Sequence, residues 1–467
     1  MRYLSTRGAD KDLTFKDILF SGLASDGGLY VPEYWPQIDY NKLKGINEYS
    51  ELALEIIHPF IGEDIEKHQL KKIIDQAYVN FSKTDIITFK ALREREQIVE
   101  LFNGPTLAFK DFAMQLIIPI FDYYLSDEAN KLNLIVATSG DTGSAAINAV
   151  QKSAKINIFC LFPKNRISNF QKKQMTTVHG KNIFPIEIDG TFDDCQNIVK
   201  SILVDREFSK EFSIAAVNSI NWSRVMAQIV YYFYTLFKND ISDKDLVSFA
   251  VPTGNFGDIY AGYAGVQMGL PVNKLIIATN ENDILDRFIK SGIYSIKSVE
   301  KTTSPSMDIA IASNFERLLF ELNDKSTIKT AEKMEDLVKR KSFSIENKKL
   351  SLLKNLFASK RVDQKEVSDL IEKTYEQFNY VIDPHTAIGL NASREYNKKD
   401  EHNFVLGTAH PIKFSETVEK AIKKNIYNID MNDHFQNDEK FHSLKNSAKL
   451  VRDKIKDNYK KYFNVNY

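Results

Sequence analysis

Apolar residues along the middle of the chain gather into short runs rich in β-branched side chains: LNLIVATSG (132–140), INIFCLFP (156–163), IFPIEIDG (183–190), LVSFAVPTG (246–254), KLIIATNEN (274–282) and NFVLGTAHP (403–411). Runs of this length that end in turn-forming residues read as buried strands. Segments with helical spacing, such as TGSAAINAVQKSA and DIYAGYAGVQMG, lie between them. The alternation predicts an α/β architecture of parallel sheets covered by helices. Around it the pattern changes. Residues 1–90 read as a mainly helical N-terminal domain with a turn-rich stretch, DGGLYVPEYWP (26–36). Residues 91–215 are expected to form a smaller α/β domain, and 216–414 a larger one. A Lys/Glu-rich helical insertion at 324–380 should present solvated faces, and 415–467 reads as a charged helical tail.

Composition narrows the function classes. The 467 residues exceed one typical domain, and 43% hydrophobic with 27% charged residues is ordinary for a folded globular protein. Sixty-two basic residues balance sixty-two acidic ones, so the long-range positive field that nucleic-acid or anionic-membrane binding uses is missing. Any anion site must be local. Cys160 and Cys195 are too few for a disulfide framework or a zinc site. With no apolar leader at the N-terminus and no run long enough to span a bilayer, the expected compartment is the cytoplasm. The oligomeric state stays open between monomer and homodimer.

In open α/β sheets ligands sit beyond the carboxyl ends of strands, and three motifs occur there. ATSGDTGSAA (137–146) offers small residues and open backbone N–H groups where a helix starts, suited to a carboxylate. VPTGNFGD (251–258) lets the backbone approach a phosphate closely. LGTAHP (406–411) puts the Thr408 hydroxyl at a strand end. Taken singly, each is also ordinary strand-to-helix punctuation. Neither Gly-rich nucleotide fingerprint is present, so the phosphate belongs to another kind of ligand. Lys110, between Phe109 and Phe112, tips the balance. A lysine among aromatics has a costly charged form and hence an available, imine-forming amine.

NGPTLAFKDFA, SGDTGSAA, NSINWSR (218–224), VPTGNFGD, ATNENDILDRF (278–288), SPSMDI (304–309), DPHTAIG (383–389) and TAHP, in this order, resemble the motif set of threonine synthases of the longer branch shared by fungi and many bacteria. GLASDGGLYVPE (22–33) extends the likeness towards the N-terminus. The resemblance implies a fold-type-II pyridoxal-phosphate (PLP) enzyme, a carbon–oxygen lyase that turns O-phospho-L-homoserine and water into L-threonine and phosphate. Carried over by position, Lys110 resembles the lysine that binds PLP covalently. Gly254, Asn255, Phe256, Gly257 and Asp258 resemble the loop at the cofactor phosphate, and Thr408 the hydroxyl facing the pyridine nitrogen. Asp141 stands where the shorter branch has an asparagine at the cofactor ring. Ser139, Gly140 and Thr142 resemble the loop near the substrate carboxylate. Ser219, Asn221 and Arg224 offer a second anion site, for the substrate phosphate.

No metal is implied. His385 and His410 are expected to make structural hydrogen bonds, with pocket lining as the second reading, and Glu281, Asp283 and Asp308 to shape a domain interface. Two other functions compete: a PLP-dependent phospholyase or dehydratase that releases 2-oxobutyrate, and a non-catalytic PLP-binding protein.

Overall fold

Two parallel-stranded sheets carry the molecule. The computed structural model describes residues 1–81, 85–126, 131–427, 435 and 437–463. The larger sheet runs Phe357–Arg361, Lys274–Thr279, Leu246–Pro252, Glu401–Gly407, Glu96–Glu100 and Thr88–Arg93, parallel except for the last strand. The smaller runs His442–Lys445, Ile183–Asp189, Ile156–Pro163, Leu132–Ala137 and Ile214–Ala216, parallel throughout. All six strands expected from apolar runs are present. Ile156–Pro163 is buried at every position, as a strand covered on both faces must be.

The strands that the apolar pattern misses explain why the expected domain limits shift. Thr88–Arg93 and Glu96–Glu100 form an antiparallel pair in the larger sheet, so these residues belong there and not to a domain beginning at 91. Phe357–Arg361 is the opposite edge of that sheet, so the 324–380 segment is not wholly helical. His442–Lys445 and the helix Ala448–Phe463 return to the smaller sheet, where Val451 and Ile455 enter its core. The tail is therefore part of the smaller layer. Of the five strands missed in these two sheets, four lie at sheet edges. An edge strand needs no continuous apolar run: Thr88–Arg93 buries only Leu92 among its six residues.

The N-terminal region is helical, with an antiparallel pair Tyr3–Ser5 and Tyr30–Pro32. Its helices Tyr49–Ile61 and Lys67–Tyr78 cover the helices Lys110–Tyr124 and Trp222–Lys238. Every residue from Trp222 to Phe237 is buried, so that helix is apolar on most sides and crosses the core. Among the described residues no helix is long and apolar enough to cross a membrane.

Candidate functional site

A cleft of about 870 Å³, counting its open mouth, lies at the carboxyl ends of strands from both sheets. Lys110 reaches it because of a local pairing. Phe109 donates its N–H to the Thr408 carbonyl (2.9 Å) and His410 to that of Leu107 (3.0 Å), so the turn before the lysine runs antiparallel to 408–410. Thr106 donates through its N–H (2.8 Å) and hydroxyl (2.7 Å) to the Asp111 carboxylate, which fixes the turn. Lys110 is thereby the first residue of its helix and lines the cleft with Thr408.

Lys110 Nζ lies 3.1 Å from Asp141 Oδ2 and 4.4 Å from the Phe109 ring centre. Burial pulls the Lys110 amine below the usual lysine range, against the pull of Asp141. Burial alone would raise the Asp141 carboxyl, yet Lys413 and Lys110 overcome it and hold Asp141 well below the usual carboxylate range. Lys413 Nζ sits 3.0 Å from Asp141 Oδ1. Gln171 Nε2 donates to that same oxygen at 2.8 Å. Gln171 is itself fixed as the third residue of a capping box with Ser168. Gly140, at φ +125°, has no room for a side chain because its Cβ would lie 2.5 Å from the Gln171 amide. Gly140 and Asp141 thus stand behind the wall, whereas Ser139 and Thr142 line the cleft.

The loop 254–258 forms the opposite wall. Phe256 takes a left-handed conformation (φ +64°) as the residue before the helix Gly257–Gln267 and supplies no side-chain cap. Its ring is buried against Phe315, which compensates for the backbone strain. The first N–H groups of that helix have no intrahelical acceptor and suit an anion. Gly254 is packed so closely that its Cβ would lie 2.6 Å from the Ser306 carbonyl. The Asn255 carbonyl and the Ser219 carbonyl both accept from Asn314 Nδ2, at 3.0 and 3.1 Å. One amide therefore ties the two anion-facing loops together. Arg317 in turn donates to Asn314 Oδ1. Asp258 also lines the cleft: its Oδ1 accepts from the Tyr231 (2.5 Å) and Tyr232 (2.9 Å) hydroxyls, its Oδ2 is buried without a partner among the described residues, and burial pushes its carboxyl up to about 6.

Arg224 is 4% exposed, one turn into the helix Trp222–Lys238, and lines the cleft with Ser219. Among the described residues its side chain makes one hydrogen bond, from Nη1 to the Val217 carbonyl at 3.4 Å, and its Nε is buried without a partner. Burial lowers the guanidinium to about 10. A buried cation with so few partners fits an anionic ligand.

Asn221 departs from the sequence expectation. Its Oδ1 caps the helix at Ser223 N–H (3.1 Å), and its Nδ2 donates to Leu19 (3.0 Å) and Ala216 (3.3 Å) carbonyls, so it is a structural cap and does not reach the cleft. Asn before an apolar helix is itself a capping signal. His385 combines both readings open to it: it bonds structurally to Asp383, and its ring lines the cleft with Nε2 buried without a partner among the described residues. Lys413, Gln171, Asn314 and Arg317 were not foreseen. Lys413 closely follows TAHP, which was a usable signal; Asn314 and Arg317 lie outside every motif.

The residues present fit PLP: a buried amine at a strand-to-helix junction, an uncapped helix start for a phosphate, and a hydroxyl at a strand end. Comparison with known proteins gives the same answer. The model for the threonine synthase N terminus matches residues 2–78, that for pyridoxal-phosphate dependent enzymes matches 84–332, and that for the threonine synthase C-terminal region matches 386–455. A threonine synthase of Pseudomonas aeruginosa is 45% identical over 425 residues, covering 90% of each chain. The crystal structure of PLP-bound threonine synthase from Brucella melitensis superposes with a TM-score of 0.92 at 42% identity, covering 98% of this chain and 99% of that one. That of the yeast threonine synthase gives 0.89 at 37% identity, with the same coverage. The chain therefore belongs to the threonine synthase family.

Proposed function

We propose that the chain converts O-phospho-L-homoserine and water into L-threonine and phosphate, with PLP held at Lys110. One observation carries the substrate reading: the buried Arg224 guanidinium faces the Lys110 cleft with unused donors. PLP, when bound, supplies an electron-withdrawing ring that acidifies the carbon next to the substrate amine. The protein supplies the rest. The Lys110 amine, kept below its usual range by burial, takes and returns a proton at the substrate α-carbon. Asp141 fixes the direction of that amine. The N–H groups of Asn255 to Asp258 hold the cofactor phosphate, and Gly254 lets the 306–307 backbone pack directly against that loop. Arg224 and Ser219 hold the substrate phosphate, so its negative charge is met as it leaves. Ser139 and Thr142 orient the substrate carboxylate. The Thr408 hydroxyl is a neutral neighbour for the ring nitrogen, which restrains transamination.

Two buried, free cysteines are in keeping with a reducing cytoplasmic setting. Incubating the PLP-loaded protein with phosphohomoserine and measuring phosphate, threonine and 2-oxobutyrate tests the reading. One threonine per phosphate is expected. Predominant 2-oxobutyrate would make the protein a phospholyase, and no turnover would leave a binding protein.

A further inference from the structure

Besides Lys110, the cleft contains a second group arranged to take a proton. His385 opens the helix Pro384–Tyr396, and the capping residue Asp383 accepts from the His385 and Thr386 backbone N–H groups, both at 3.0 Å. Asp383 Oδ2 also lies 2.6 Å from His385 Nδ1, and Asp383 is fully buried. A carboxylate only accepts, so Nδ1 carries hydrogen and the lone pair of the neutral ring is on Nε2. The ring is 3% exposed and packs on Phe414 at 4.9 Å between centres. Its Nε2 has no protein partner, and the ring lines the cleft with Lys110 and Thr408.

Apart from Lys110, none of the other ionisable groups that line the cleft among the described residues combines an unpartnered lone pair with a carboxylate behind it to meet the charge that proton transfer creates. Asp141 is held between Lys110 and Lys413. Asp258 accepts two tyrosine hydroxyls on Oδ1 while its Oδ2 is buried without a partner, which makes it the rival base that the His385 variant tells apart. Arg224 is a cation without a lone pair to offer. Lys110, once it has taken the α-proton, cannot also deprotonate a water. We propose that His385 is a catalytic base: its Nε2 takes the proton of the water that adds at the substrate β-carbon, and Asp383 stabilises the imidazolium that forms. This rests on the phosphohomoserine reading above. In the step a water O–H bond breaks and its proton moves to Nε2. The oxygen bonds to the β-carbon, and the electron pair of the substrate's α,β double bond shifts to the α-carbon, which takes the proton held on Lys110. His385 then returns its proton to solvent, while the released phosphate carries one proton more than the ester did, so the hydrogen count closes. The arrangement has the logic of an Asp-oriented histidine in hydrolytic sites.

His385→Gln tests it, with phosphate, threonine and 2-oxobutyrate measured together and the cofactor absorbance recorded. With the absorbance kept, threonine formed per phosphate released should fall at least about tenfold, 2-oxobutyrate and ammonia taking its place. An unchanged one-to-one ratio in the variant, beside a one-to-one wild type, overturns the proposal and leaves the substrate reading intact. A wild type that releases phosphate without threonine removes both. If the variant fails to hold PLP, nitrogen-15 NMR of the wild-type holoenzyme decides: an unprotonated Nε2 with a protonated Nδ1 on His385 supports the base, and a protonated Nε2 at neutral pH overturns it.

Discussion

The wall of the cleft and the layer behind it each contain a buried lysine and a buried arginine, and the two pairs differ in what their donors do. Behind the wall, Lys413 Nζ donates to the Thr106 carbonyl (2.7 Å) and to Gln174 Oε1 (2.7 Å) and is ion-paired with Asp141 (3.0 Å). Arg317 donates from Nε to Tyr30 (2.9 Å), from Nη2 to Ile220 (2.5 Å) and from Nη1 to Asn314. At the wall, Lys110 has the Asp141 contact, and Arg224 has one long bond and an unpartnered Nε. Burial does not separate the pairs. It pulls Arg224 and Arg317 alike to about 10. Donor satisfaction separates them: the inner pair is spent on the protein, and the outer pair is left for a ligand.

Asp141 joins the two layers, and removing it should have the largest effect. Asp141→Asn leaves Lys110 and Lys413 buried without a counter-charge, which should cost about 3–5 kcal/mol in urea unfolding at neutral pH. The folded Asp141 carboxyl is depressed, so its contribution is present in full above the unfolded value of about 4 and is lost progressively as pH falls from there. The gap between wild type and variant should therefore narrow below pH 4. A gap independent of pH would mean that the charge is not what matters.

Next in size is Arg317→Met, expected to destabilise by about 3 kcal/mol because three buried acceptors lose their donor. It should also slow turnover, since Asn314 would lose the partner that steadies it between Asn255 and Ser219. Arg224→Met should do the reverse. Stability should hold or rise, as an underpartnered buried charge is removed, while kcat/KM for phosphohomoserine falls at least about tenfold with PLP retained. Equal destabilisation by the two substitutions would end the distinction between inner and outer arginines. The smallest expected signal is protection by inorganic phosphate, which should raise the thermal midpoint of wild type and leave that of Arg224→Met unchanged.

Sequence made the wall legible and left the inner layer hidden. Lys110, Thr408, Ser219, Arg224 and the 254–258 loop lie in contiguous strings next to strands, where residue type and position are informative together. Arg317 and Lys413 draw most of their partners from roughly 100 to 300 residues away in the chain, and only the nearness of Lys413 to TAHP hints at either. Asn221 was read as a ligand group because it neighbours Ser219 and Arg224, although its place before Trp222 is that of a helix cap. Asp383 and His385 carried both meanings: the cap was recognisable, but the free ring nitrogen depends on which way the helix start faces.

A lysine with donors to spare, and not its neighbour behind the wall, is expected to hold the cofactor. Borohydride reduction of the PLP-loaded protein, followed by peptide mapping, measures this directly. The phosphopyridoxyl group is expected on the peptide containing Lys110. Labelling of Lys413, fully buried on the other side of Asp141, would contradict it.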